Sequence, residues 1–285
     1  MHRLRRVLGP ALALGSSLTY GVSDFLGGTS SRRIGTLQFI FFTQLIGALL
    51  AIGWVVISSE PVPPVVAVVA ATGAGLGLAV GVGAFFQAMV VGKMSVVAPI
   101  SATGVVLPVA VGIARGERPS AAQAVGIVVA IAGVALAARP PGERQAARAE
   151  SGFGLALVAA VGTGLFLWLM APASRHGVAW AILISRVIPA VALIVVVGVR
   201  RTSLRPAFQP RMAGTIVVAA LLAFAGTALY ALATLHSQLV IVSVLGSLYP
   251  AVTGLLAYHV LGERLGRSQL VGIAAVLSGV VLLST

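Results

Sequence analysis

The sequence predicts an all-α integral membrane protein of ten transmembrane helices, arranged as two inverted five-helix repeats. Three observations carry that prediction. The 285 residues are 59% apolar and 9% charged, with a mean hydropathy of +1.07, whereas soluble domains carry about a quarter charged residues. Apolar runs of about 20 residues, the length a helix needs to cross a bilayer, recur along the whole chain. The stretch GERPSAAQAVGIVVAIAGVAL at 116–136 returns as GERLGRSQLVGIAAVLSGVVL at 262–282, without a gap and 146 residues later.

Taken in order, the first span is expected at 8–28, between Arg3, Arg5 and Arg6 and the pair Arg32–Arg33. Its basic start is like that of a signal peptide, but no convincing small-residue cleavage site follows, so it reads as a retained helix. The second is expected at 34–57 and the third at 64–91. The third is long enough to tilt, and Gly73, Gly75, Gly77, Gly81 and Gly83 let other helices come close. The fourth, 94–114, contains Pro99 and Pro108, each of which removes a backbone hydrogen bond inside the helix. The fifth, 120–138, is the first copy of the repeated tail. A polar connector rich in proline and charge, RPPGERQAARAES at 139–151, follows at the midpoint. Residues 1–138 are therefore one five-helix repeat, 139–151 the linker and 152–285 the second repeat. Its spans are expected at 152–172, 178–199, 212–236, 239–261 (with Pro250) and 268–284.

Five is an odd number, so the second half must enter the membrane from the opposite side. A weaker match at the start of each half, LALGSSLTYG at 12–21 against LALVAAVGTG at 155–164, agrees with duplication. Inverted halves are the architecture of secondary transporters, with a central cavity that opens to either side. Pro99, Pro108 and Pro250 are candidate hinges for that motion, because such breaks are tolerated where the freed carbonyls face protein or a cavity.

Composition excludes other classes. The net charge of +13 sits in short basic clusters between apolar runs, where it meets lipid headgroups, so no nucleic-acid partner is expected. Cysteine is absent, which rules out disulfides, thiolate metal sites and thiol nucleophiles. No metal site or cofactor is implied. A single lysine, Lys93, in an arginine-rich chain points to a GC-rich bacterial gene.

The polar residues inside the spans are the candidate site, because each is costly in lipid unless it faces protein or water. Asp24 is the only acidic residue within a span, which makes it the candidate for proton coupling or for meeting a cationic substrate group. Tyr20 lies one turn earlier on the same face, with Ser16 and Ser17 a further turn back. Arg186 is the only charged residue well inside a late span, able to pair with Asp24, to bind a substrate carboxylate or to snorkel. From their positions along parallel spans the two differ by roughly 12 Å in depth, which disfavours a direct pair. Gln87, Ser101, Thr103, Trp168, Tyr230, Ser247 and Tyr249 complete the candidate cavity, each equally suited to an interhelical hydrogen bond. Glu117–Arg118 and Glu263–Arg264 read as turn and headgroup residues.

Several of these segments together resemble a known family. YGVSDFLGGTSSRR at 20–33, GKMSVVAPISATGVVLPVAVGIARGERPS at 92–120 and VIVSVLGSLYPAVTGLLAYHVLGERL at 240–265 are similar to the ten-helix EamA-type transporters of the drug/metabolite transporter superfamily. The resemblance covers essentially the whole chain. It implies alternating-access movement of amino acids, other small metabolites or drugs across the cytoplasmic membrane, most often outward. The small multidrug relatives carry a glutamate in their first helix; Asp24 stands in a different local motif here.

The alternatives from other classes are a flippase for lipid or lipid-linked sugar and a membrane-embedded lipid enzyme. The enzyme lacks the clustered carboxylate or histidine motifs it would need. Expected partners are a small-molecule substrate, membrane lipid and, through Asp24, protons; the chain is expected to be a monomer or a weak homodimer. Alternating loops carry 6 basic residues on the side of the termini and 12 on the other. The positive-inside rule then puts the termini outside, whereas the family resemblance implies cytoplasmic termini, and that expectation is retained.

Overall fold

Long apolar runs leave the chain one way to satisfy its backbone away from water, which is intrahelical hydrogen bonding. The computed structural model describes residues 2–92, 94–137, 143–262 and 266–283, and these are helical apart from short connections. The helices are α1 (His2–Ile34), α2 (Thr36–Ser58), α3 (Val65–Val91), α4 (Met94–Ala102), α5 (Val106–Ala114) and α6 (Ala121–Ala137). After the midpoint come α7 (Glu143–Ser174), α8 (Val178–Val199), α9 (Pro210–His236), α10 (Leu239–Gly246), α11 (Tyr249–Leu261) and α12 (Arg267–Leu283).

Among the described residues, six helices are long and apolar enough to cross a membrane: α2, α3, Gly152–Ser174 of α7, α8, α9 and Leu239–Leu261, which joins α10 to α11. Shorter apolar helices occupy Ile100–Ala114 and Ala121–Gly133. Their outer faces carry exposed large apolar side chains such as Ile57, Val80, Val128 and Val199, as lipid-facing surfaces do.

Two helices begin or end outside the expected limits. α1 continues to Ile34, and Arg32 in its last turn closes the end of a neighbour. The Arg32 Nε and Nη2 groups donate to Met89 O at 3.1 and 3.0 Å, and Nη2 donates to Gly92 O at 3.1 Å. These are orphan carbonyls at the end of α3. α7 begins at Glu143, so the part of the connector from Glu143 onward is helical.

The fourth and ninth expected spans are each broken. α4 and α5 are separated by a 3₁₀ turn at Thr103–Val105, and α10 and α11 by a turn at Ser247–Leu248. A proline ring clashes with the carbonyl four residues earlier. For Pro108 that residue is Gly104, inside the 3₁₀ turn, and for Pro250 it is Gly246, the last residue of α10. Pro99, the third candidate hinge, lies within α4 with no break beside it.

Packing is closest where glycine removes the side chain. A Cβ on Gly77 would lie 2.7 Å from Gly162 O, and one on Gly81 would lie 2.9 Å from Thr163 N. α3 and α7 therefore meet backbone to backbone, through the small-xxx-small spacing of Gly77 and Gly81. Gly75 serves the contact with α8 (Ser185 O, 3.0 Å), whereas Gly83 faces open space. α1 packs on α9 through Ser16 Oγ donating to Gly226 O (2.8 Å) and Ser23 Oγ donating to Ala219 O (2.9 Å). The two copies of the repeated tail, α6 and α12, pack on each other, with Gly279 against Gly126.

At the end of the bundle where α1 starts, two carboxylates tie one half to the other. Glu117 accepts from Leu239 N and Val240 N, both at 2.9 Å, capping α10 where its first N–H groups lack helical partners. Glu60 Oε2 accepts from Ala179 N at 3.0 Å, at the start of α8, while Trp180 Nε1 donates to Glu60 O at 3.1 Å. Glu117 is thus a helix cap across the halves, which corrects its reading as a headgroup residue. Glu263 and Arg264 lie outside the described residues.

Candidate functional site

Helical periodicity assembles a cavity between the halves. α1 contributes Tyr20 and Asp24, one turn apart; α3 contributes Leu78, Gly81, Val82 and Phe85, which share one face. Thr163, Phe166 and Leu167 of α7 face them, and Gly246 and Tyr249 flank the break between α10 and α11. They enclose a cavity of about 70 Å³. The broken helix matters here. Gly246 has no side chain, and the turn directs Tyr249 into the space, with its ring edge-on to Phe85 at 6.2 Å between centroids.

Among the described residues, Asp24 is the only charged one lining the cavity. Among the described residues its carboxylate makes no hydrogen bond and no ion pair. Tyr20, one turn away, holds Thr227 Oγ1 at 2.7 Å. Thr227 Oγ1 also lies 2.9 Å from Ala223 O, to which it can donate.

Arg186 lies behind this wall, 3% exposed and outside the cavity lining. Its Nη1 donates to Gln44 Oε1 at 2.8 Å and its Nη2 to Ala223 O at 2.9 Å and to Thr227 Oγ1. The guanidinium is therefore held by neutral acceptors from α2 and α9, and no ion pair joins it to Asp24. Among the described residues its Nε, buried, has no partner.

The other sequence candidates divide by helix phase. Tyr249 joins Tyr20 and Asp24 at the cavity. Tyr230 is fully buried beside it, its hydroxyl donating to Leu167 O at 2.9 Å and paired with Ser243 Oγ at 2.9 Å. Ser101, Thr103 and Ser247 donate to carbonyls three or four residues back, Val97 O, Ile100 O and Val244 O. Trp168 is half-buried, and its indole N–H has no partner among the described residues. Gln87 is exposed on α3; at about 100° per residue it lies on the face opposite Phe85, so it is not part of the cavity.

Sequence reasoning missed Gln44, Thr163, Phe85, Phe166 and Thr227. Gln44 had a visible signal, as an amide in the middle of an apolar span. Thr163 and the two phenylalanines had none, since in these all-round apolar helices polarity does not reveal which face turns inward. Among the described residues no group of His, Asp and Glu is placed to hold a metal ion.

Comparison with known proteins extends this picture. The model of the EamA-like transporter family matches residues 7–139 and again 150–285. No curated protein matches the sequence. A solved crystal structure 18% identical to this chain, covering 96% of it and 95% of its own length, superposes with a TM-score of 0.68, which shows a shared fold.

Proposed function

This chain belongs to the EamA-like transporter family, and we propose that it carries a small organic metabolite or drug by alternating access through the Asp24 cavity. The chain is a multi-pass membrane protein whose family model is matched twice, once in each half. Counting α4–α5 and α10–α11 as one broken span each, and adding α1, α6 and α12, gives ten crossings and an inverted second half. The observation that carries the reading is the cavity itself. It sits between helices of both halves, next to a broken span, and holds an acid with no partner among the described residues.

The carboxylate clamps agree with a carrier caught in one state. Glu60 and Glu117 hold the halves together at the end where α1 starts, so that end is the shut gate. An apolar groove on the flank, between α2 and α9, is lined by Leu49, Gly53, Trp54 and Phe224. It offers no charged group for a lipid headgroup, and small-solute transport is the better reading.

The chain has no native cysteine, so Thr163→Cys places a single thiol in the cavity. In vesicles of each orientation, a membrane-impermeant maleimide should label it from either side. Labelling from one side alone, under every condition tried, would overturn the alternating-access reading.

A further inference from the structure

The cavity selects charge, and we infer that its ligand is a monovalent organic cation with a flat apolar body, such as an arylalkyl amine. This inference rests on the transport reading above and narrows it. Among the described residues Asp24 is the sole charged lining residue, and its carboxylate has no donor. A carboxylate in an apolar enclosure is stabilised most by an opposite charge that arrives with the ligand. The buried cation of α8 cannot serve instead. Arg186 lies outside the lining, with both terminal nitrogens held by Gln44, Ala223 O and Thr227.

Among the described residues the rest of the lining adds no second charge; its polar groups are the hydroxyls of Tyr20, Thr163 and Tyr249. Tyr20, Phe85, Phe166 and Tyr249 put aromatic rings on the same lining as the carboxylate, and ring faces attract cations. The Tyr20 hydroxyl is already paired with Thr227 Oγ1 at 2.7 Å. A ligand carboxylate would therefore meet Asp24 with no cation to offset it, so zwitterionic amino acids and anions are selected against. Such exclusion by an unpaired charge is how a site rejects a near-isosteric competitor.

Three probes share one aromatic body and differ only in charge: phenethylamine (cation), phenylalanine (zwitterion) and 3-phenylpropionate (anion). Benzyltrimethylammonium adds a cation that cannot donate a hydrogen bond. With the purified full-length protein, both cations should raise the melting temperature in a dose-dependent way, and the zwitterion and anion should not. Asp24→Asn should weaken cation binding by about ten-fold or more, the scale of one charge-assisted contact. Val82→Trp, which fills the cavity and leaves the charge in place, should abolish it independently.

Phenylalanine binding as tightly as phenethylamine would overturn the inference. So would cation binding that survives Asp24→Asn, or failure of both cations to bind at millimolar concentration. Each of these failures leaves the two-sided labelling of Thr163→Cys unaffected, so the inference and the transport reading fall separately.

Discussion

Gly162→Leu should cost the detergent-solubilised protein about 3 kcal/mol or more, and Gly83→Leu almost nothing. Overpacking a filled contact costs typically about 1–3 kcal/mol and more where backbone must move. A Cβ on Gly162 alone would sit 2.5 Å from Gly81 N and 2.6 Å from Gly77 O, so α3 and α7 must separate before any side chain fits. Gly83, two residues beyond Gly81, has open space where a Cβ would stand, with nothing within 4 Å. The same substitution on neighbouring α3 and α7 surfaces thus separates a packing effect from a general cost of added bulk. Because Gly81 and Thr163 also line the cavity, Gly162→Leu should disturb ligand binding as well. Thermal melting of both variants checks this; equal melting temperatures would contradict the backbone-to-backbone contact.

Gln44→Leu should be the most costly single change around Arg186, at about 1.5–3 kcal/mol, the range for a hydrogen bond to a charged group. Arg186 is 3% exposed and has no acidic partner among the described residues. Its charge is tolerated only through neutral acceptors, and among the described residues Gln44 is the sole acceptor of Nη1. Leucine keeps much of the volume and removes that oxygen. Adding Arg186→Met removes the charge itself, and replacing a buried charge by an apolar residue is often neutral or stabilising. The double variant should therefore be more stable than Gln44→Leu alone. A double-mutant cycle of melting measurements reads the coupling directly. Simple additivity of the two costs would show that Arg186 does not depend on Gln44, and would reopen its role as a ligand for a substrate carboxylate.

Much of the fold is written in run length. Apolar stretches at 178–199 and 239–261 coincide with α8 and with α10–α11 because length and hydropathy alone decide a span. The ends are less legible where a side chain acts across elements. Arg32 reads as the end of a span, yet it continues the helix and closes α3. Glu117 reads as a turn residue, yet it caps a helix of the other half. Pro108 and Pro250 announce the breaks, but these fall four residues earlier, where the ring meets a carbonyl.

Asp24 stands out in the sequence because ionisable residues within a span are rare and expensive, and Tyr20 follows from its spacing of one turn. Gln87 has the same chemistry as Gln44, and both sit inside apolar runs. Only helix phase separates them, and glycine-rich α3 gives no phase signal because it is apolar all round. The Arg186–Thr227–Tyr20 chain joins α8, α9 and α1, a juxtaposition that no local pattern encodes.

If the two halves move against each other, the end held by Glu117 must open in turn. Spin labels on Arg118→Cys and Gln238→Cys, both exposed and flanking that clamp, read the gate by pulsed distance measurement in lipid. The expected result is a short distance matching the shut gate together with a longer population, which Glu117→Ala enlarges by removing the cap. A single short distance, unchanged by Glu117→Ala and by every ligand tried, would contradict motion between the halves.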